Sequence, residues 1–142
     1  MANISLAQAN TIIEHAFKKG TELGLKPLTV SVLDSGGHVV ALARADGASA
    51  MRPEMATGKA YGCIALGVGG RWLNQNGIDR PHFMDGVVAL SEGKVLPVPG
   101  GVLVLEDGAI IGAVGITGDT SDNDEAAAVA GIEAAGLAAK VD

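Results

Sequence analysis

Asp119, Asp122, Asp124 and Glu125 crowd one short stretch directly behind a glycine-punctuated apolar run. Carboxylates this dense at a helix start support three chemistries. As structure, Asp122 with Glu125 three residues on matches a capping box, and acids in a first turn complement the helix dipole. As catalysts, Asp124 and Glu125 are acid–base candidates once burial raises a pKa. As metal ligands they fail the EF-hand pattern: counting from Asp119, the sixth position is Asp124 instead of glycine and the twelfth is Ala130 instead of glutamate.

The basic counterparts are Arg44, Arg52 and Lys59, which bracket the entry to a second helix. An arginine ending a strand beside a lysine on the facing helix clamps a carboxylate, so Arg44 and Lys59 are candidate ligand-binding residues. The alternative is solvated surface charge, with Asp46 pairing to one of them. His15, His38 and His82 show no HxxxH spacing. By the helical step of about 100°, His15 lies opposite Ile13 and Phe17, and so faces solvent or a partner subunit. Cys63 falls inside an apolar helical face, where an inert thiol is expected. No G-x-S-x-G elbow is present.

The elements that position these groups are legible in outline. Ser5 is a helix cap, with Leu6, Ala9, Ile13, Ala16 and Phe17 on one face, and Gly20, Gly24 and Pro27 end that helix. Leu28–Leu33 and Val39–Ala43 read as strands joined through Asp34-Ser35-Gly36-Gly37. A helix follows from about Pro53 to Val68, then short helical turns broken at Gly77, Pro81 and Gly86. Strands resume from about Leu96 with Asp107-Gly108 as a hairpin signal, and a last helix runs from about Asp122 to Lys140. Gly112-x-x-Gly115-x-x-Gly118 lacks the dinucleotide or P-loop spacing, and reads as close packing of a small-residue strand on a helix. Hairpins in place of crossovers predict an antiparallel sheet with helices packed on it, an α+β fold.

Composition bounds the rest. A chain of 142 residues is one domain, residues 1–142, able to bury one substantial core. A net charge of -6 argues against nucleic acid or an anionic membrane as partner. Hydrophobic content of 48% suggests subunit interfaces and a homo-oligomer. No stretch reaches the ~20 apolar residues of a membrane span, and the amino terminus lacks a basic start before an apolar core. The expected compartment is the cytoplasm. One cysteine excludes a disulfide framework.

Several segments together carry a family resemblance. They are Val32-Leu33-Asp34-Ser35-Gly36-Gly37-His38-Val39-Val40, Arg44-Ala45-Asp46-Gly47-Ala48, Lys59-Ala60, Pro99-Gly100-Gly101-Val102, Gly112 to Gly118 and Asp124-Glu125. In this order, covering nearly the whole chain, they resemble the GlcG/HbpS (DUF336) family of small bacterial proteins, found also at the carboxy terminus of PduO-type proteins. The resemblance implies a profilin-like α+β unit with about five antiparallel strands, assembled into oligomers. It also implies binding of a small ligand, with haem or iron as the cofactor in some members. His15 is the residue placed to match a haem-ligating histidine, and Arg44 or Lys59 would meet the propionates. Other relatives belong to small-acid catabolism, which implies two alternatives. One is an enzyme with Arg44 and Lys59 holding a carboxylate and Asp124 or Glu125 as acid–base; the other is an assembly partner.

Overall fold

The computed structural model describes residues 2–142. Its first helix, α1 (Leu6–Glu22), begins in a capping box. The Ser5 hydroxyl accepts from the Gln8 amide at 3.1 Å, while Gln8 Oε1 accepts from the Ser5 amide at 2.9 Å. Its buried stripe is Ala9, Ile12, Ala16 and Gly20, with Ile13 and Phe17 only partly covered and Leu6 exposed. That stripe is rotated from the expected one, and His15, three residues after Ile12, therefore lies half-buried on its flank.

Strands β1 (Thr29–Asp34) and β2 (Val39–Arg44) form the first hairpin. Helix α2 (Arg52–Leu66) follows, and then the region that differs most from expectation. Where broken turns were expected, two ten-residue helices stand, α3 (Gly70–Asp79) and α4 (Pro81–Leu90). Only Pro81 breaks the path, because it cannot supply an amide to a preceding helix but suits a first turn. Gly77 and Gly86 sit inside helices.

Strands β3 (Gly101–Glu106) and β4 (Ala109–Thr117) form the second hairpin. Its tip holds Asp107 at φ 51° and Gly108 at φ 79°, the left-handed pair a two-residue turn demands. Helix α5 (Ser121–Ala134) is capped by Thr120, whose hydroxyl accepts from the Asn123 amide at 3.2 Å; the expected capping box of Asp122 and Glu125 is not formed. The helix also ends early. Gly136 at φ 76° turns the chain into a short strand, β5 (Ala138–Lys140), which pairs with β3.

The sheet order is β2-β1-β4-β3-β5, every pairing antiparallel, so the α+β expectation of about five strands holds. Alternation divides its side chains between two layers. Val30, Val32, Val104, Val114 and Ile116 join Ile12 and Ile132 beneath α1 and α5. Leu33, Leu103 and Ala113 pack with Ala60, Cys63 and Leu73 on the α2 side. The reading of the glycine strand as packed on a helix is supported at Gly115, where a side chain would overlap the Ala56 carbonyl of α2, whereas one on Gly112 would meet the Leu33 carbonyl of neighbouring strand β1. No helix among the described residues is long and apolar enough to cross a membrane.

Candidate functional site

The densest polar chemistry lies where the ends of β3 and β4 meet α2 and α5. Lys59 points from α2 past Gly100, and its ammonium donates to the Ile116 carbonyl at 2.9 Å and to Asp124 Oδ2 at 3.1 Å. The second Asp124 oxygen accepts from the Asp119 amide at 2.9 Å. Lys59 is 3% and Asp124 1% exposed, so the pair is sealed. Burial pulls the Lys59 ammonium below its ordinary value and pushes the Asp124 carboxyl above its own, in each case against the attraction of the partner. Gly100, at φ 112°, makes room: a side chain there would sit 2.8 Å from Lys59 Nζ.

Glu125, one residue on, is also buried but faces Arg71 of α3. The Arg71 Nε hydrogen-bonds Glu125 Oε1 at 3.0 Å and lies 2.8 Å from Oε2, which is buried with no hydrogen bond of its own. Arg71 Nη2 reaches Asp122 at 3.3 Å. The glutamate and aspartate raise the pKa of the guanidinium further.

These contacts decide what comes together. The carboxylate that Lys59 meets is the protein's own Asp124, so the expected clamp of Arg44 and Lys59 on a ligand is not assembled within one protomer. Arg44 is exposed at the end of edge strand β2, opposite Thr29. Thr29 shares its face with Ser31, which bonds Thr57 of α2, so Arg44 projects on the α2 side of the sheet. His15 lies on α1, across the sheet from it. Arg52, near Lys59, donates instead to Thr117 Oγ1 at 2.8 Å and to Ser49 Oγ at 3.1 Å. Burial pushes the Cys63 thiol up to about 12, the inert state expected.

Sequence reasoning missed Arg71, which lay in the unread middle, and a groove of about 650 Å³ between the first hairpin, α2 and the loop at Gly93-Lys94. His38 stands at its hairpin end, held by Asp34 with Nδ1 3.1 Å from Oδ1. The same oxygen accepts the amides of Gly36 and His38 at 2.9 and 3.0 Å. These bonds, with the His38 amide foremost, hold the Asp34 carboxyl below its ordinary range. The D-S-G-G-H run is the available signal, which the sequence reading takes as a turn and as part of the family resemblance but not as the wall of a groove. Among the described residues, no group of three or more His, Cys, Asp or Glu side chains could hold a bare metal ion.

An open antiparallel sheet, two hairpins with helices on both faces, defines a profilin-like α+β domain. The description "haem degrading protein HbpS-like" matches residues 4–133, and the chain belongs to that family. An uncharacterized 15.0 kDa protein from the dhaT-dhaS intergenic region of Citrobacter freundii is 27% identical over 124 residues, 87% of this chain and 86% of that one. The crystal structure of a PduOC:heme complex superposes with a TM-score of 0.87 at 24% identity, covering 99% of this chain and 100% of that one. Klebsiella pneumoniae ORFY also gives 0.87, at 25% identity and 96% and 92% coverage. A double mutant of Streptomyces reticuli HbpS gives 0.81, at 23% identity and 94% and 87% coverage.

Proposed function

We propose that this protein is a cytoplasmic, homo-oligomeric small-ligand-binding protein whose ligand is haem, held through His15. The observation that carries the reading is the half-buried imidazole of His15 on the flank of α1, in a chain of the haem-degrading HbpS-like family. The likeness to a PduOC:heme complex over 99% of this chain supports the same ligand.

The donor set agrees with the chemistry. His15 is the residue that would hold a haem, its imidazole supplying the protein's ligand to the iron. A porphyrin also needs broad apolar cover. One protomer with 3% aromatic residues offers little, so a second copy completes the cover. Arg44, exposed and on the other side of the sheet, meets a propionate only across such an interface, whereas Lys59 is committed to Asp124.

A haem titration read at the Soret band, with His15→Ala in parallel, tests this. Saturable stoichiometric binding that is lost in the variant is the expected result. Equal, unsaturable binding in both proteins overturns it.

A further inference from the structure

The groove beside α2 has an architectural origin. Helix α2 covers β1, β4 and β3, while edge strand β2 overhangs it. Opposite partners on one face show the result: Ser31 on β1 is fully buried, yet Leu42 on β2 is 37% exposed. The uncovered strip forms one wall and α2 the other, with Leu42, Pro53 and Tyr61 as apolar lining. Gly37, at φ 84°, lets the hairpin tip close on the Tyr61 ring, and a side chain there would stand 3.1 Å from it.

Lys94 and Glu54 bring opposite charges to the groove, and the Asp34 carboxylate stands behind His38. His38 and Lys94 both line the groove: the hairpin tip beside His38 touches the Tyr61 ring, and the Lys94 ammonium lies 5.9 Å from that ring's centroid. Lys94 forms no salt bridge among the described residues. Asp34 accepts from Nδ1–H of His38, which leaves Nε2 facing outward, where it donates to an anion only when the ring carries both protons. Glu54 also lines the groove, two turns before Tyr61 on α2, a rise of roughly 10 Å.

We infer that this groove binds a small aromatic monocarboxylate, its carboxylate between His38 and Lys94 and its ring along Tyr61 and Leu42. The Lys94 ammonium draws the anion, and the apolar walls select a flat body. Glu54 at the far end repels a second carboxylate, which makes the site selective for monoanions over dianions. This site shares no residue with the His15 reading and does not depend on it.

The test uses the full-length, haem-free protein. Benzoate is titrated by calorimetry, with the histidine ring signals followed by NMR. The expected result is saturable one-to-one binding that moves the His38 signals, weakened about tenfold or more in each of His38→Ala and Lys94→Ala. Terephthalate binds more weakly than benzoate, and Glu54→Gln narrows that gap. Both lost side chains are exposed, so circular dichroism is expected to show intact folds. Absence of saturable benzoate binding, or binding unchanged in both variants, overturns the proposal.

Discussion

Lys59 Nζ lies 3.1 Å from Asp124 Oδ2, and this buried pair ties α2 on one face of the sheet to α5 on the other. It passes the sheet where Gly100 leaves space and the Ile116 carbonyl accepts a second bond from the ammonium. Desolvation acts against both charges, so the pair is weak evidence of net stability and strong evidence of mutual dependence.

That dependence predicts a double-mutant cycle. Lys59→Met alone strands a buried carboxylate, and Asp124→Asn alone strands a buried ammonium; each is expected to cost about 3–5 kcal/mol. Lys59→Met with Asp124→Asn removes both charges while Asn keeps an acceptor for the Asp119 amide. Urea unfolding should place the double variant closer to wild type than either single one. Additive losses would show that the charges do not depend on each other.

Glycines that look alike in the sequence separate in the same assay. Gly115→Ala drives a Cβ into the Ala56 carbonyl, a backbone atom that cannot rotate away, and should lose about 1–3 kcal/mol or more. Gly77 lies within α3 with nothing within 4 Å of an added Cβ. Gly77→Ala should therefore gain about 0.5–1 kcal/mol through helix propensity.

The contrast also explains what the sequence made legible. Turns announced themselves because Gly37 and the Asp107-Gly108 pair must take positive φ, and few residues do so cheaply. From those hairpins the antiparallel sheet followed. Gly77 and Gly86 carry no such requirement and were misread as breaks, since tertiary contacts with α2 and within the α3–α4 pair outweigh propensity. The site was legible only as residue types. Lys59 and Asp124 were both singled out, but side chains 65 positions apart give no local signal of pairing, so a ligand clamp and an internal ion pair read alike.

Acid should expose the role of Asp119. Its carboxylate accepts from Asn123 Nδ2 at 2.8 Å and from the amides of Lys26 and Thr120 at 3.0 and 2.9 Å. Those bonds, the Asn123 one foremost, lower its pKa from 3.8 to about 2. The unfolded chain thus binds this proton at higher pH than the folded one, so the contribution is complete above 3.8 and is lost as pH falls toward about 2. Asp119→Asn should flatten the stability profile across that window and leave its slope near neutrality unchanged. Asp34, shifted in the same direction, keeps part of the acid limb in the variant. An unaltered limb in Asp119→Asn would assign the acid loss to other groups.

The α3–α4 pair supplies the prediction that bears on assembly. Helix α4 packs mainly on α3 and buries only Met84, while Ile78, Phe83 and Leu90 are 67, 38 and 88% exposed. Apolar side chains this large, gathered on one projecting pair of helices, mark an association surface when they form a contiguous patch. Because Leu90 makes little contact within the protomer, Leu90→Glu should leave the melting temperature of a dilute sample nearly unchanged. If this arm joins copies of the chain, the same substitution lowers the mass measured by sedimentation at high concentration, and adding Phe83→Ser lowers it further. A mass unchanged in the double variant would move the interface elsewhere, with the groove side of β2 as the next surface to alter.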